Sequence, residues 1–181
     1  MHNNFIGYAM EANHAQQKEY RDGSLVKVPM SFRINELIGE VGEMCNVLKK
    51  IESEAHGWKG SRVSPADLPN ELADVVHCTL LIALDLRISP LVLLLQDNVR
   101  VPLSNDLSRI GCAFAVCVGR LAEVGMKERV EVDAALGQLR MILALCDMLA
   151  EASGFDLQDA VVEKFNATSD KLGLECRMEK R

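Results

Sequence analysis

The sequence predicts an all-α protein, a bundle of packed helices. Hydrophobic residues make up 49% of the 181 residues, whereas aromatic residues make up only 4%. A core of aliphatic side chains and methionine with so few rings is typical of packed helices and not of a β-sandwich. Apolar residues also recur at helical spacing along most of the chain. The length suits one domain or two small, closely packed halves.

The first half of the chain predicts four helices, each bounded by turn or capping residues. Arg21-Asp22-Gly23-Ser24 ends the first helix, and Pro29 with Ser31 opens the second. Pro69 suits the first turn of the third helix, and Ser89-Pro90 caps the fourth. An ordered loop is predicted over 56–69. The four helices are predicted over residues 5–20, about 31–54, 68–87 and 90–98.

The second half of the chain predicts three more helices, over 103–124, 131–152 and 155–172. This half also resembles a degenerate copy of the first half. Leu37-Ile38-Gly39 matches Arg109-Ile110-Gly111, 72 residues later, and 72–86 matches 139–153, 67 residues later. At these offsets no acidic residue of the pattern described below is repeated. Aliphatic helices also resemble one another by chance, so the duplication is a hypothesis.

Charge and composition exclude several function classes. A net charge of −6 and a pI near 5.3 argue against binding of nucleic acid polymers by a basic surface. The longest apolar stretch, 75–95, is interrupted by His77, Asp85, Arg87 and Pro90, so we expect no membrane span. The six cysteines form no C-x-x-C pair and the N-terminus shows no signal pattern. We therefore expect reduced thiols in a cytoplasmic protein.

Four acidic residues form the most informative pattern of the chain: Glu40 and Glu43 in E-V-G-E, then Glu71 and Asp74 in E-L-A-D. Each pair has i,i+3 spacing inside a helical segment, so both carboxylates of a pair lie on one face. Two such faces opposed across a bundle bring four carboxylates together, and a divalent cation that prefers oxygen ligands offsets their repulsion. The pattern predicts a Mg²⁺ or Mn²⁺ site.

Two glycines accompany the first acidic pair. Gly39 and Gly42 flank Glu40 within a helix, where each glycine costs about 1 kcal/mol relative to alanine. Because they remove side-chain bulk, we expect another helix or a ligand to approach closely here.

E-V-G-E followed by E-L-A-D resembles the E-x-x-E…E-x-x-D signature of the all-α NTP pyrophosphatase superfamily, which includes the MazG-like enzymes and the dimeric dUTPases. The resemblance covers 32–95 well and extends more loosely to K-F-N-A-T-S-D-K-L-G-L in the last helix. It implies a MazG-like bundle and a Mg²⁺-dependent hydrolase that cleaves an NTP or dNTP to the monophosphate and pyrophosphate. The chain would be a single domain, 1–181, with a catalytic half at about 1–101 and a degenerate helical repeat at about 102–181.

The resemblance also implies the roles of particular residues. Glu40, Glu43, Glu71 and Asp74 would be the metal ligands, and one of Glu40 and Glu43 would also orient the attacking water. Phosphoryl transfer further needs charge neutralisation, so cations are expected near the acids. Candidates for substrate binding lie just after Glu43, in the following loop and on the last helix: Lys49, Trp58, Lys164, Asn166 and Lys171.

For each candidate lysine a solvated helix face is the alternative, and Trp58 either stacks on a nucleobase or packs its loop onto the bundle. Many MazG-like members have paired glutamates where this chain has Gly39-Glu40. Glu36, one turn earlier, is therefore either a further ligand or solvated. His77 resembles the histidine of D-I-L-H in the dimeric dUTPases, but a lone histidine on an apolar helix is more often a core residue.

Two further alternatives concern function. Asp74-x-x-His77 matches half of a di-iron carboxylate motif, a site that needs a second such motif on another helix. A non-catalytic helical scaffold or partner-binding bundle is the other. For the enzyme we expect a homodimer or a dimer of dimers, because a set of aliphatic helices often completes its bundle with a neighbour.

Overall fold

The all-α prediction is confirmed. The computed structural model describes residues 3–21, 28–58, 64–94 and 106–180, and in these ranges all regular secondary structure is helical. A short 3₁₀ turn, Pro65–Asp67, precedes the third helix. In chain order the α-helices of the described residues are α1 (Asn3–Tyr20), α2 (Met30–Ala55), α3 (Leu68–Asp85), α4 (Pro90–Leu94), α5 (Leu107–Gly125), α6 (Val132–Ser153) and α7 (Leu157–Leu172).

Capping residues determine where these helices begin and end. The side chains of Asp106 and Asp156 accept hydrogen bonds from backbone N–H groups of the first turns of α5 and α7. The two helices therefore begin one residue after their caps, which for α7 is later than the predicted 155; the predicted helical residues 103–105 lie outside the described residues. Gly154 and Gly173 end α6 and α7 with φ of 77° and 67°, in the left-handed region that glycine adopts readily. Predicted helical residues 95–98 and loop residues 59–63 lie outside the described residues.

Four long helices form the central bundle. α2 packs against α3 and α5, and α6 packs against the same two helices, so the four close into a ring. α2 and α3 run antiparallel, since Arg33 Nε near the start of α2 lies 3.0 Å from Asp85 Oδ2 at the end of α3. α1 and α7 cover the outer side of α3, and α4 contacts α1 and α6. Two packed hairpins, α2–α3 and α5–α6, would follow from the duplication, which remains a hypothesis.

The core is aliphatic, as the composition predicts. Residues with little or no exposed surface include Leu37, Leu72, Leu80 and Leu139, with Phe114 among the few buried rings. Such burial of apolar surface supplies most of the driving force for folding, at about 25 cal/mol per Å². In the described residues, no helix is both long and apolar enough to cross a membrane.

The closest approach of a glycine to a neighbouring helix in the α2–α5 contact occurs on α5 and not beside the acids. A Cβ atom on Gly125 would overlap the side chain of Ile34 on α2, and one on Gly111 would lie 3.3 Å from Cys45 Sγ, also on α2. In contrast, a Cβ on Gly39 or Gly42 would meet no atom within 4 Å among the described residues, and both glycines are exposed. For the described residues, the expectation that a helix approaches closely at these two glycines is therefore wrong, and the approach of a ligand there stays a prediction.

Candidate metal centre

Three of the four predicted acids lie around one point. Glu40 and Glu43 extend from one face of α2, and Glu71 extends from the first turn of α3. One carboxylate oxygen from each of the three lies within 4.8 Å of the other two. The i,i+3 spacing on α2 and the antiparallel packing of α3 against it produce this arrangement. It is the only grouping of this kind among histidine, cysteine and acidic side chains in the described parts of the chain.

Asp74 lies one turn further along α3, beside Glu40, and it has a cationic partner. Its Oδ2 is 2.5 Å from Lys164 Nζ on α7, and the two side chains are 21% and 26% exposed. Burial, followed by the charge of Asp74, raises the pKa of Glu40, so the two carboxylates are electrostatically coupled. The structure thus brings all four acids together, with Asp74 bonded to a lysine.

The electrostatics of the cluster are unfavourable without further positive charge. Burial, then Asp74, Glu43 and Glu71, raise the pKa of Glu40 to about 7 against the weaker opposing effect of Lys164. Burial and the charge of Glu43 raise the pKa of Glu71, and burial raises that of Asp74 despite its bond to Lys164. A carboxyl group that has lost water and faces like charges is harder to ionise.

One oxygen of the cluster has no partner. Glu71 Oε2 is fully buried and forms no hydrogen bond to any of the described residues. A buried, unsatisfied acceptor is costly, by about 1–3 kcal/mol or more for a charged group. Carboxylate oxygens are the ligands that Mg²⁺ and Mn²⁺ prefer, and a cation at this point would satisfy the orphan oxygen. The residues present therefore fit a hard divalent cation.

Lys164 is the one predicted substrate-binding residue that contacts an acid of the cluster. Burial opposes its charge, but the hydrogen bond and charge of Asp74, with Glu71 and Glu40, raise the pKa of Lys164. Lys171 follows it by seven residues on the same face of α7, about 10 Å along the helix axis, and is exposed.

Lys49, Trp58 and Asn166 are placed away from the acids or are already engaged. Lys49 lies about half a turn around α2 from Glu40 and bonds Asn46 Oδ1 at 3.2 Å. Trp58 follows the end of α2 at Ala55, which lies about 18 Å along the helix axis from Glu43, and its side chain is 64% exposed. Its ring stacks on His56, with centroids 4.7 Å apart, so it does not pack onto the bundle.

Asn166 holds the C-terminal segment, residues 174–180, instead of facing the site. Its Nδ2 donates to Met178 O at 2.9 Å, and its Oδ1 accepts from Met178 N at 2.8 Å. Both polar groups of the amide are therefore used by backbone, and Met178 itself is 3% exposed. In this arrangement the amide of Asn166 is engaged by Met178, and the phosphate contact stays a prediction.

His77 and Glu36 also have structural partners. His77 Nε2 is 3.1 Å from Val161 O, and Nδ1 is 3.2 Å from Asn13 Nδ2. The pattern fits a neutral ring that donates at Nε2 and accepts at Nδ1. Glu36 Oε2 pairs with Arg33 Nη1 at 3.0 Å, and Glu36 does not join the acidic grouping found among the described residues.

Arg33 is the residue that sequence reasoning missed. It is 4% exposed, and its guanidinium reaches Glu36, Asp85 and Gln17 from three helices. It lies seven residues before Glu40, on the same face of α2, so it fixes the register of α2 against α3 below the acids. The sequence could have indicated this role, because an arginine on the apolar face of a predicted helix is a buried charge that needs polar partners.

The position of His77 predicts a specific pH dependence of stability. Burial lowers the pKa of His77 to about 4, whereas an unfolded chain has a histidine pKa of about 6.5. As the pH falls below 6.5, the unfolded chain binds the proton first, so His77 lowers the free energy of unfolding. Between pH 7.5 and pH 5 we expect the advantage of wild type over His77→Gln to shrink by roughly 2 kcal/mol in urea unfolding. The acidic cluster is present in both proteins, so its contribution cancels in the difference between their free energies of unfolding. If this difference did not change with pH, a lowered pKa of His77 would be contradicted.

The contacts of Asn166 predict a stability effect. Asn166→Ala leaves the backbone N–H and C=O of Met178 unpaired, so the free energy of unfolding should fall by about 1–3 kcal/mol. Limited proteolysis should also cut the C-terminal segment faster. Asn46→Ala, at an exposed amide of α2, is the control. Unchanged stability combined with weaker nucleotide binding would instead restore the phosphate contact.

Comparison with known proteins gives no relative from which to transfer a function. No protein-family model, curated protein or solved structure matches this chain. The resemblance to the all-α pyrophosphatases therefore stays a prediction from the acidic motifs. The geometry and chemistry of the acidic cluster carry the functional assignment.

Proposed function

We propose that this protein is a Mg²⁺-dependent nucleoside triphosphate pyrophosphohydrolase of the MazG-like kind, which releases a nucleoside monophosphate and pyrophosphate. One observation supports the proposal most strongly: carboxylate oxygens of Glu40, Glu43 and Glu71 lie within 4.8 Å of one another. In addition, Oε2 of Glu71 is buried and has no hydrogen-bond partner among the described residues. Asp74 and Lys164 complete the group from α3 and α7.

A bound cation explains why these four acids lie together better than a contribution to the stability of the fold does. A carboxyl whose pKa is raised on folding, as for Glu40, binds more protons in the folded state. Its ionised form therefore lowers the free energy of unfolding as the pH rises from about 4.5 to 7. Functional sites commonly hold groups that the fold alone would exclude. A divalent cation removes this penalty, and Mn²⁺ would serve as well as Mg²⁺.

The reaction would divide roles among these side chains. Glu40, Glu71 and Asp74 would hold the cation, together with Glu43. When bound, Mg²⁺ supplies charge neutralisation to the triphosphate and the leaving pyrophosphate. Glu43 is the exposed member of the cluster, so its carboxylate meets solvent and is suited to orient the attacking water. Lys164 and the exposed Lys171 supply positive charge along α7 for the phosphates.

The structure offers little support for a di-iron centre. His77 is bonded through both ring nitrogens to α1 and α7, and the acidic cluster of the described residues includes no histidine. The second acid-x-x-His of the chain, Glu11 to His14, lies on α1 with both residues exposed. The non-catalytic scaffold remains the competing proposal.

The proposal includes a homodimer or a dimer of dimers. Large apolar side chains are exposed on the outer faces of α2 and α5: Phe32 at 51%, Ile38 at 45% and Val116 at 51%. Exposed apolar groups on adjacent helices are typical of surfaces that pack against another chain. Such an assembly would leave the four acids on one chain.

Substitution of single acids tests the activity. Glu43→Gln and Asp74→Asn keep the side-chain shapes but remove charge, so we expect Mg²⁺-dependent pyrophosphate release to fall at least about 100-fold. Circular dichroism should stay unchanged because both side chains are outside the apolar core. A panel of NTPs and dNTPs is scored for monophosphate plus pyrophosphate against stepwise release of phosphate.

Glu123→Gln, at an exposed glutamate of α5, is the matched control and should retain wild-type rates. Full activity of both acid variants would overturn the site assignment. Hydrolysis of no nucleotide in the panel by the wild-type protein would favour the scaffold.

A further inference from the structure

The ammonium group of Lys164 is a positive charge of the protein itself that lies within the acidic cluster. Lys164 Nζ lies 2.5 Å from Asp74 Oδ2, and the lysine side chain is 26% exposed. Asp74, Glu71 and Glu40 all attract this ammonium group, in that order. Asp74 is also the one acid of the four that does not join the three-carboxylate grouping. The lysine thus neutralises one acid that the metal needs.

We propose that Lys164 is a built-in counter-ion that competes with the divalent cation for Asp74 and is released towards the anionic ligand when that cation binds. The inference rests on the proposed function, because it concerns regulation of the same site. Lys164 engages Oδ2 of Asp74, so a divalent cation bound to the same carboxylate would lie close to the ammonium group and repel it. This repulsion weakens the Lys164–Asp74 contact and favours release of the ammonium group when the cation binds.

The surroundings allow the lysine to move without unfolding the helix that carries it. The neighbouring Phe165 is 1% exposed and holds α7 in the core, whereas the Lys164 side chain is 26% exposed. A lysine has a flexible four-carbon stem, so its ammonium can turn towards solvent while its backbone stays fixed. In that position it would lie on the same face of α7 as Lys171, and an anionic phosphate chain would interact favourably with both ammonium groups.

A coupling between metal and anion follows from this competition. The free protein binds the divalent cation weakly because Lys164 must be displaced. An anion that binds the released ammonium favours the displaced state, so it strengthens cation binding, and the cation strengthens anion binding by the same factor. The lysine would in this way link occupancy of the metal site to the presence of the nucleotide's phosphates.

Mn²⁺ binding to the metal-free protein, followed by electron paramagnetic resonance, tests the competition without any need for activity. Lys164→Met removes the ammonium and keeps the stem, so Mn²⁺ should bind at least about tenfold tighter than to wild type. Lys180→Met is the control, since it removes a lysine that pairs with Asp159 and Glu163 on α7, away from the cluster. Its Mn²⁺ affinity should stay within about twofold of wild type.

Inorganic pyrophosphate provides the second arm of the experiment. It should strengthen Mn²⁺ binding to wild type clearly more than to Lys164→Met after correction for Mn²⁺–pyrophosphate complexes in solution. Mn²⁺ affinity of Lys164→Met equal to or below that of wild type would overturn the proposal. Lys164→Gln, a shorter polar replacement, repeats the comparison if the methionine variant does not fold.

The outcomes separate this inference from the enzymatic proposal. Tighter Mn²⁺ binding by Lys164→Met in a protein that hydrolyses no nucleotide would support the competition and reject the pyrophosphohydrolase. Hydrolysis by wild type with no gain in Mn²⁺ affinity for Lys164→Met would reject the competition alone. Absence of Mn²⁺ binding by both proteins would reject both.

Discussion

The packing of α2 against α3 holds four carboxylates at close range, and much of the surrounding structure follows from that constraint. Loss of water on burial, followed by repulsion among them, raises the pKa of Glu40 to about 7. Because the fold is less stable when the cluster is ionised, the two helices must be fixed by contacts elsewhere. The aliphatic core supplies most of that stability, and Arg33, with Asp85, fixes the register of the hairpin at its other end.

The outer helices serve the same site through α7. His77 connects α3 to α7 through Val161, and Asn13 of α1 bonds the other nitrogen of its ring. The C-terminal segment then ties α7 to α1, since Asn166 bonds Met178 and the carboxylate of Glu19 accepts from the backbone of Glu175. These contacts hold Lys164 at Asp74, where its charge partly offsets that of the acids. The polar residues of α7 thus divide into structural ones and one that faces the cluster.

The helices and the acidic cluster could be predicted from sequence because both depend on local spacing. Apolar periodicity and capping residues predicted the helices that the structure describes, and i,i+3 spacing placed Glu40 with Glu43 and Glu71 with Asp74 on single faces. Which side chains bond to one another across different helices could not be predicted from local spacing. Asn166 bonds a backbone segment 12 residues later, and Lys49 faces away from Glu40 because of the exact helical phase. Gly39 and Gly42 predicted a close approach to another helix, which in the described residues occurs at Gly125 and Gly111.

The central claim is that the four carboxylates form one divalent-cation site for a nucleoside triphosphate. Its most direct test is anomalous diffraction from crystals grown with Mn²⁺ and a nucleotide whose α,β-bridge resists hydrolysis. The account predicts an anomalous peak bounded by oxygens of Glu40, Glu43, Glu71 and Asp74, with the triphosphate beside it. Nucleotide bound elsewhere, or no Mn²⁺ among these four carboxylates at saturating concentration, would contradict it.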